Sequence, residues 1–178
     1  AKNTAWNVAL VLLSSLQDSK LAPDAISYGA SIYACGKGQQ WRKALDVLRD
    51  AHLAQVRMTV VAYSVAISIC EKVAKWRIAI CIFREMSLMF LLPDEVSFSS
   101  AISACEKGGA WQGALDLLAC MVREQVRLTT ISCSAAISAC RRSHRWRQAL
   151  FIFTQMSILH VRPNLFTYSA LMAACQKS

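Results

Sequence analysis

The chain has 178 residues, of which 55% are hydrophobic and 17% charged, a composition that excludes an intrinsically disordered or collagen-like protein. Its 20 Lys and Arg residues against 11 Asp and Glu residues give a net charge of +9, which favours a polyanionic partner, either nucleic acid or an acidic membrane surface. Mean hydropathy is +0.34, but the densest apolar stretches, such as residues 86–92, are far shorter than the roughly 20 residues of a spanning helix. We therefore expect no transmembrane segment.

The cysteines follow no pattern of a secreted scaffold. The eight cysteines stand at positions 35, 70, 81, 105, 120, 133, 140 and 175, without a Cys-x-x-Cys pair. This spacing favours a reducing compartment. The chain does not open with a charged segment followed by an apolar one, so it shows no targeting peptide.

A period of 35 residues runs through the whole chain. The five tryptophans stand at positions 6, 41, 76, 111 and 146, so consecutive ones are 35 residues apart. Such self-similarity predicts an array of repeated units. The predicted units are 25–59, 60–94, 95–129 and 130–164, flanked by the C-terminal part of a truncated unit at 1–24 and the first helix of a further one at 165–178. We expect the chain to be a fragment of a longer array.

Each unit contains two apolar stripes with helical spacing, and positions are counted here from the first residue of a unit. The first stripe occupies positions 4, 7, 8 and 11, and the second occupies positions 17, 20, 21, 24 and 27. In the unit 60–94 they comprise Tyr63, Ala66, Ile67 and Cys70, then Trp76, Ala79, Ile80, Phe83 and Met86. Glycines such as Gly108 and Gly109 mark the turn between the helices, and Pro93 marks the exit from the second. The pattern predicts stacked helical hairpins with the tryptophans in the core.

The residues of these helices carry a family resemblance. The second helix of the unit 95–129 reads Trp-x-x-Ala-Leu-x-x-Leu-x-x-Met, first helices open with segments such as Val96-Ser-Phe-Ser, and closing segments include Leu91-Leu-Pro-Asp. In these features the whole chain resembles the pentatricopeptide repeat family. Tetratricopeptide repeats are less similar, because their period is 34 residues. The resemblance implies an all-α fold, a right-handed superhelical solenoid of 35-residue helical hairpins with a TPR-like αα arrangement.

The resemblance also implies sequence-selective binding of single-stranded RNA in organelles, with one base read per unit by positions 5 and 35. The implied base-recognition residues are Gly29, Ser64, Ser99, Ser134 and Ser169 at position 5, and Asp24, Thr59, Asp94, Thr129 and Asn164 at position 35. Residues that sandwich the bases are expected at position 2, namely Ile26, Val61, Val96, Ile131 and Phe166. By similarity, Ser64 with Asp94 would prefer guanine, and Ser134 with Asn164 would prefer adenine. The pairs Gly29 with Thr59 and Ser99 with Thr129 match no established combination.

A helical wheel adds a prediction that does not depend on the family. Positions 2, 5, 9, 12 and 13 lie opposite the apolar stripe of the first helix, so we expect them to be free to line a concave groove. Position 13 is a cation in every unit, and we expect phosphate contacts from Lys37, Lys72, Lys107, Arg142 and Lys177. The alternative is that these side chains only stabilise the helix ends.

Other chemistry is not indicated. Cysteines at position 11 of stacked helices would lie roughly 10 Å apart, too far to share one metal ion, so no metal and no cofactor is predicted. The three histidines occupy no common repeat position and match no catalytic motif, so the chain is predicted not to be an enzyme. The expected partner is single-stranded RNA, with other proteins bound through regions outside this chain and with no membrane or small-molecule substrate. The alternative function is a TPR-like scaffold that binds proteins, because the fold alone does not choose between them.

Overall fold

The structure is a computed structural model that describes residues 5–19 and 21–176, apart from the side chain of Gln17. These residues form ten helices and no strand. The helices are α1 (Ala5–Asp18), α2 (Ala25–Lys37), α3 (Trp41–Leu53), α4 (Val60–Lys72), α5 (Trp76–Leu88), α6 (Glu95–Gly108), α7 (Trp111–Arg123), α8 (Thr130–Arg142), α9 (Trp146–Ile158) and α10 (Leu165–Cys175). No helix in this part of the chain is long and apolar enough to cross a membrane.

The helices alternate between two layers. We call α2, α4, α6, α8 and α10 the A helices, and α1, α3, α5, α7 and α9 the B helices. Each A helix packs on the next A helix, whereas the B helices from α3 onwards pack on the A helices that precede and follow them in the chain. Successive A helices begin 35 residues apart. The predicted all-α solenoid of helical hairpins is confirmed.

The core lies between the two layers and follows the predicted stripes. On α4 the side chains of Tyr63, Ile67 and Cys70 are fully or almost fully buried. The alanine at position 20 of each unit from 25–59 to 130–164, such as Ala79 on α5, has no exposed surface. A small side chain at this position lets the B helix approach its neighbours closely. The apolar stripes of the A and B helices therefore pack against each other in one continuous core.

The tryptophans are less buried than the sequence predicted. All five are half-buried and pack against the edge of the core. The reason is their position: Trp41, Trp76, Trp111 and Trp146 are each the first residue of a B helix, where the neighbouring unit covers only part of the indole. Cations cover some of the remaining ring surface, and the guanidinium carbon of Arg145 lies 4.9 Å from the centre of the Trp111 ring.

Glycines at the ends of the A helices allow two things: close contacts with a neighbouring helix and a turn with positive φ. Gly108 is the last residue of α6, and a Cβ atom there would lie 2.0 Å from Cδ1 of Trp76. The left-handed residue of that turn is Gly109, with φ of 70°. The equivalent turns use Gln39, Ala74 and His144 with φ between 53° and 58°, so the turn geometry recurs without glycine.

Candidate nucleic-acid interface

The residues at position 35 share one structural role, because each is the N-cap of the A helix that follows it. Their side-chain oxygens accept a hydrogen bond from the backbone N–H of the residue three positions later, which is position 3 of the next unit. Capping holds these side chains at the start of an A helix and, from α4 onwards, beside the preceding A helix. We call the place where position 5 of one A helix meets this cap a junction. The caps are Asp24, Thr59, Asp94, Thr129 and Asn164.

Ser64 and Asp94 meet at the junction between α4 and α6. Oδ1 of Asp94 accepts hydrogen bonds from the backbone N–H of Ser97 at 2.8 Å and from the Ser97 hydroxyl at 2.6 Å. The Ser64 hydroxyl lies 2.8 Å from the Ser97 hydroxyl and 3.4 Å from Oδ1 of Asp94. No described residue donates a hydrogen bond to Oδ2 of Asp94. The exposed Asp94 therefore presents an oxygen that can only accept.

The junction between α8 and α10 repeats this arrangement with an amide. Oδ1 of Asn164 accepts from the backbone N–H of Thr167 at 2.9 Å and from the Thr167 hydroxyl at 2.8 Å. The Ser134 hydroxyl lies 2.6 Å from the Thr167 hydroxyl. Since a backbone N–H requires an acceptor, the oxygen of the Asn164 amide must face the cap. The amide nitrogen Nδ2 then faces away from the cap and can only donate.

The two threonine junctions differ from these. Oγ1 of Thr59 accepts from the backbone N–H of Ala62 at 3.3 Å, and with Ala62 at position 3 and Gly29 at position 5 this junction has no further side-chain hydroxyl. Oγ1 of Thr129 accepts from the backbone N–H of Ser132 at 3.2 Å and donates to the Ser132 hydroxyl at 3.3 Å. In both threonines Oγ1 is the single polar side-chain atom and already accepts the capping hydrogen bond.

The helical wheel was wrong about the freedom of position 5. Ser64 and Ser134 are only 5% and 3% exposed, and Gly29 and Ser99 are half-buried, because the next A helix covers this face. Only Ser169 is exposed, on α10, beyond which no described helix packs. A wheel treats one helix at a time and therefore does not include the neighbour that covers it.

Position 2 is exposed in all five A helices. The exposed fraction ranges from 53% at Phe166 to 78% at Ile26, although every one of these side chains is apolar. The residues are Ile26, Val61, Val96, Ile131 and Phe166. Together they form a row of apolar side chains one turn or less from the capping residues, available to a partner with flat apolar faces.

The position 13 cations lie near the opposite ends of the A helices, about 16 Å along the axis from position 2 at 1.5 Å per residue. Lys37, Lys72, Lys107 and Arg142 are exposed, and Lys177 lies outside the described residues. The Lys107 ammonium lies 3.0 Å from Oε1 of Glu71, and the Lys37 ammonium lies 5.3 Å from the centre of the Tyr33 ring. These two cations thus have partners within the protein, each of which a phosphate would have to compete with or share.

Burial, rather than an active centre, explains the raised pKa values of three cysteine thiols. It raises the pKa of Cys70, Cys105 and Cys140 to about 11, 12 and 11, so these thiols are neutral at physiological pH. In the described residues no group of three or more His, Cys, Asp or Glu side chains could hold a metal ion. At the interface itself, hydrogen bonds from Ser27 lower the pKa of the Asp24 carboxyl. Asp24 is therefore an anion there.

An apolar cavity lies away from the junctions. It has a volume of about 720 Å³ and lies between α7 and α9, lined by apolar side chains such as Leu118, Val122, Phe151 and Ile152. It belongs to the B layer, whereas positions 2, 5 and 35 belong to the A layer. Because none of the junction residues lines it, we do not assign it to the interface.

The hydroxyls at position 3 are part of the junctions, although sequence reasoning did not single them out. Ser97, Ser132 and Thr167 are fully buried and connect to the cap in each case. Their signal was present in the sequence as a Ser or Thr three residues after an Asp, Thr or Asn that precedes a helix, which is a variant of the capping box.

Comparisons with known proteins agree with this architecture. The family models for the pentatricopeptide repeat domain and the PPR repeat match residues 116–178 and 96–126. The structure is similar to the pentatricopeptide repeat protein PPR10 in complex with an 18-nt psaJ RNA element, with a TM-score of 0.72 and 19% identity over 99% of this chain and 28% of that one. PPR10 from maize gives a TM-score of 0.78 and 16% identity over 92% of this chain and 24% of that one.

A third similar structure is the PPR domain of Arabidopsis thaliana protein-only RNase P 1 in complex with tRNA, with a TM-score of 0.74 and 18% identity over 83% of this chain and 78% of that one. No curated protein sequence matches this chain. The chain spans 28% of the length of the first of these structures. At identities below 20%, the structural similarity establishes the fold alone. Residues 96–178 therefore belong to the pentatricopeptide repeat family, and the rest of the described chain continues the same solenoid.

Proposed function

We propose that this chain binds single-stranded RNA in a sequence-selective manner, in the organellar setting of a mitochondrion or chloroplast that the family resemblance implies. The observation that carries the proposal is the pair of junctions in which Ser97 and Thr167, hydrogen-bonded to Ser64 and Ser134, hold Asp94 and Asn164 at the A-helix surface. PPR10 and the PPR domain of protein-only RNase P 1, which share the fold, are each found in complex with RNA. Each pair of helices in 25–59, 60–94, 95–129 and 130–164 forms the unit that meets one nucleotide.

The geometry of the caps supports the base preferences that the family resemblance implies. Oδ2 of Asp94 is an acceptor, which suits the N–H groups on the Watson–Crick edge of guanine. Nδ2 of Asn164 is a donor, which suits the ring-nitrogen acceptor on the corresponding edge of adenine. The exposed apolar side chains at position 2, such as Val96 and Phe166, provide surfaces against which bases can stack.

Charge supports an anionic ligand over a neutral one. The net charge is +9, and a cation recurs at position 13 of each unit. If the five position 13 cations each neutralise one phosphate, the logarithm of affinity falls with the logarithm of salt concentration with a slope near −3.5, at about 0.7 per contact for a single strand. A groove that holds a peptide, the alternative function, has no reason to follow this slope.

Fluorescence anisotropy with single-stranded RNA pools across a salt series tests the proposal. We expect Asp94→Asn to change the preferred base at one nucleotide by about tenfold, because the free atom changes from an acceptor to a donor. Lys72→Ala is the control, and it should weaken binding to all sequences alike. Affinity that does not change with salt, or equal losses from both variants on every sequence, contradicts the proposal and favours the protein scaffold.

A further inference from the structure

The buried hydroxyls of Ser97 and Thr167 join two side chains that come from consecutive A helices. Each hydroxyl donates to Oδ1 of the cap, Asp94 at 2.6 Å or Asn164 at 2.8 Å. A hydroxyl has one proton and two lone pairs, so a position 3 hydroxyl that donates to the cap can only accept from position 5. The proton order therefore runs from Ser134 through Thr167 to Asn164. At the other junction Ser97 donates to Asp94, and the Ser64 hydroxyl shares its proton between Ser97 and the carbonyl oxygen of Val60, each 2.8 Å away.

Neither position 3 residue can contact a ligand itself. Ser97 and Thr167 have no exposed surface, whereas both caps are exposed. Any influence on binding must therefore act through the cap. By occupying Oδ1, the position 3 hydroxyl and its backbone N–H together fix the direction of Oδ2 in Asp94 and of Nδ2 in Asn164.

Ser132 provides an internal comparison. It is also fully buried at position 3, but its hydroxyl bonds to the backbone N–H, carbonyl and hydroxyl of Thr129, and no hydrogen bond between described residues joins it to Ser99. Its cap has no polar side-chain atom beyond Oγ1 to direct. The same residue type thus closes a capping box at this junction without connecting two A helices.

Resting on the proposed RNA binding, we propose that Ser97 and Thr167 are positioning residues for base selection. They hold Asp94 and Asn164 in the one orientation that aims Oδ2 or Nδ2 at a base. A junction selects a base where a position 3 hydroxyl bridges position 5 and an Asp or Asn cap. The junctions of Thr59 and Thr129 select weakly, because their caps have no second polar side-chain atom that the capping bond could aim.

Base preference, measured as the ratio of affinities for RNAs that differ at one nucleotide, tests this role. Ser97→Ala should lower the preference at the nucleotide that Asp94→Asn affects by about threefold, since the side chain regains up to three staggered rotamers. Thr167→Val, which replaces the hydroxyl with a methyl group, should do the same at the nucleotide read by Asn164. Ser97→Thr and Thr167→Ser keep the hydroxyl and should retain the wild-type preference.

Ser132→Ala is the matched control, because it removes a capping-box hydroxyl of the same kind and should leave every preference unchanged. Thermal melting of each variant separates a loss of fold from a loss of preference. If Asp94→Asn shifts a preference while Ser97→Ala and Thr167→Val only weaken binding to all RNAs alike, the positioning role is overturned and RNA selectivity stands. If the wild-type chain shows no base preference at all, both proposals are overturned.

Discussion

Nε2 of His52 lies 2.6 Å from the hydroxyl of Tyr63, and Nδ1 of the same ring lies 2.6 Å from Oε1 of Glu85. The three residues belong to α3, α4 and α5, so one imidazole joins three consecutive helices. Because a carboxylate only accepts, Nδ1 carries a proton, and in the neutral ring Nε2 accepts the proton of the tyrosine hydroxyl. The cluster ties two neighbouring repeats together on the side away from the junctions.

We expect Tyr63→Phe to change the pH dependence of stability. Burial, with a further contribution from Glu85, raises the pKa of Tyr63 to about 12 from an ordinary value of 10. The stability from the neutral phenol is therefore present below pH 10 and is lost as pH rises from 10 towards 12, with about 1.4 kcal/mol lost by pH 11.

Urea denaturation at pH 8 and pH 11 measures this effect. At pH 8 the variant should be less stable than the wild type by about 1 kcal/mol, because one hydrogen bond to His52 is missing. By pH 11 the difference in free energy of unfolding between the two proteins should disappear. The cysteine thiols also titrate in this range, but they are present in both proteins and affect both equally. A gap of constant size at both pH values contradicts the prediction.

Two glycine-to-alanine substitutions on A helices should have opposite effects. Gly108→Ala places a Cβ 2.0 Å from Cδ1 of Trp76, so we expect it to lower stability by about 1–3 kcal/mol as the indole is displaced. Gly29→Ala lies inside α2, where the nearest atom to the new Cβ is Cβ of Ala62 at 3.9 Å. It should raise stability by about 0.5–1 kcal/mol, because alanine restricts the unfolded chain. Thermal melting of both variants checks the pair, and destabilisation of equal size by both contradicts the assigned packing.

We expect Trp111→Ala to cost about 2–3 kcal/mol, which is less than the loss of a fully buried tryptophan, because the indole is half-buried. The companion variant Arg145→Ala removes only the cation over the same ring and should cost about 0.5–1 kcal/mol. Chemical denaturation compares the two, and a Trp111→Ala protein as stable as the wild type is incompatible with the packing described.

The sequence predicted the features that depend on one helix and its period. The stripe that contains Tyr63 and Ile67 and the recurrence of helix starts needed only the spacing of apolar residues. It did not predict the burial of Ser64, because the residue that covers it, Ser97, lies 33 positions later on a separate helix. The partial exposure of Trp111 was missed for the same reason, since the extent of cover depends on how neighbouring units stack. The observed site differs from the predicted one where burial depends on contacts between repeats, which the sequence of a single repeat does not contain.

Glu71→Gln should strengthen RNA binding through Lys107. The Lys107 ammonium lies 3.0 Å from the Glu71 carboxylate, which is itself half-buried, so part of the lysine's charge is neutralised within the protein. Removing the negative charge makes the cation fully available to a phosphate, and we expect a gain in affinity of about twofold to fivefold at low salt that shrinks as salt is raised. Glu106→Gln is the matched control, because Glu106 occupies position 12 of the next unit and forms no ion pair with a described residue. Anisotropy titrations at two salt concentrations separate the outcomes: equal gains from both variants indicate only the change in net charge, whereas a larger gain from Glu71→Gln assigns a phosphate contact to Lys107.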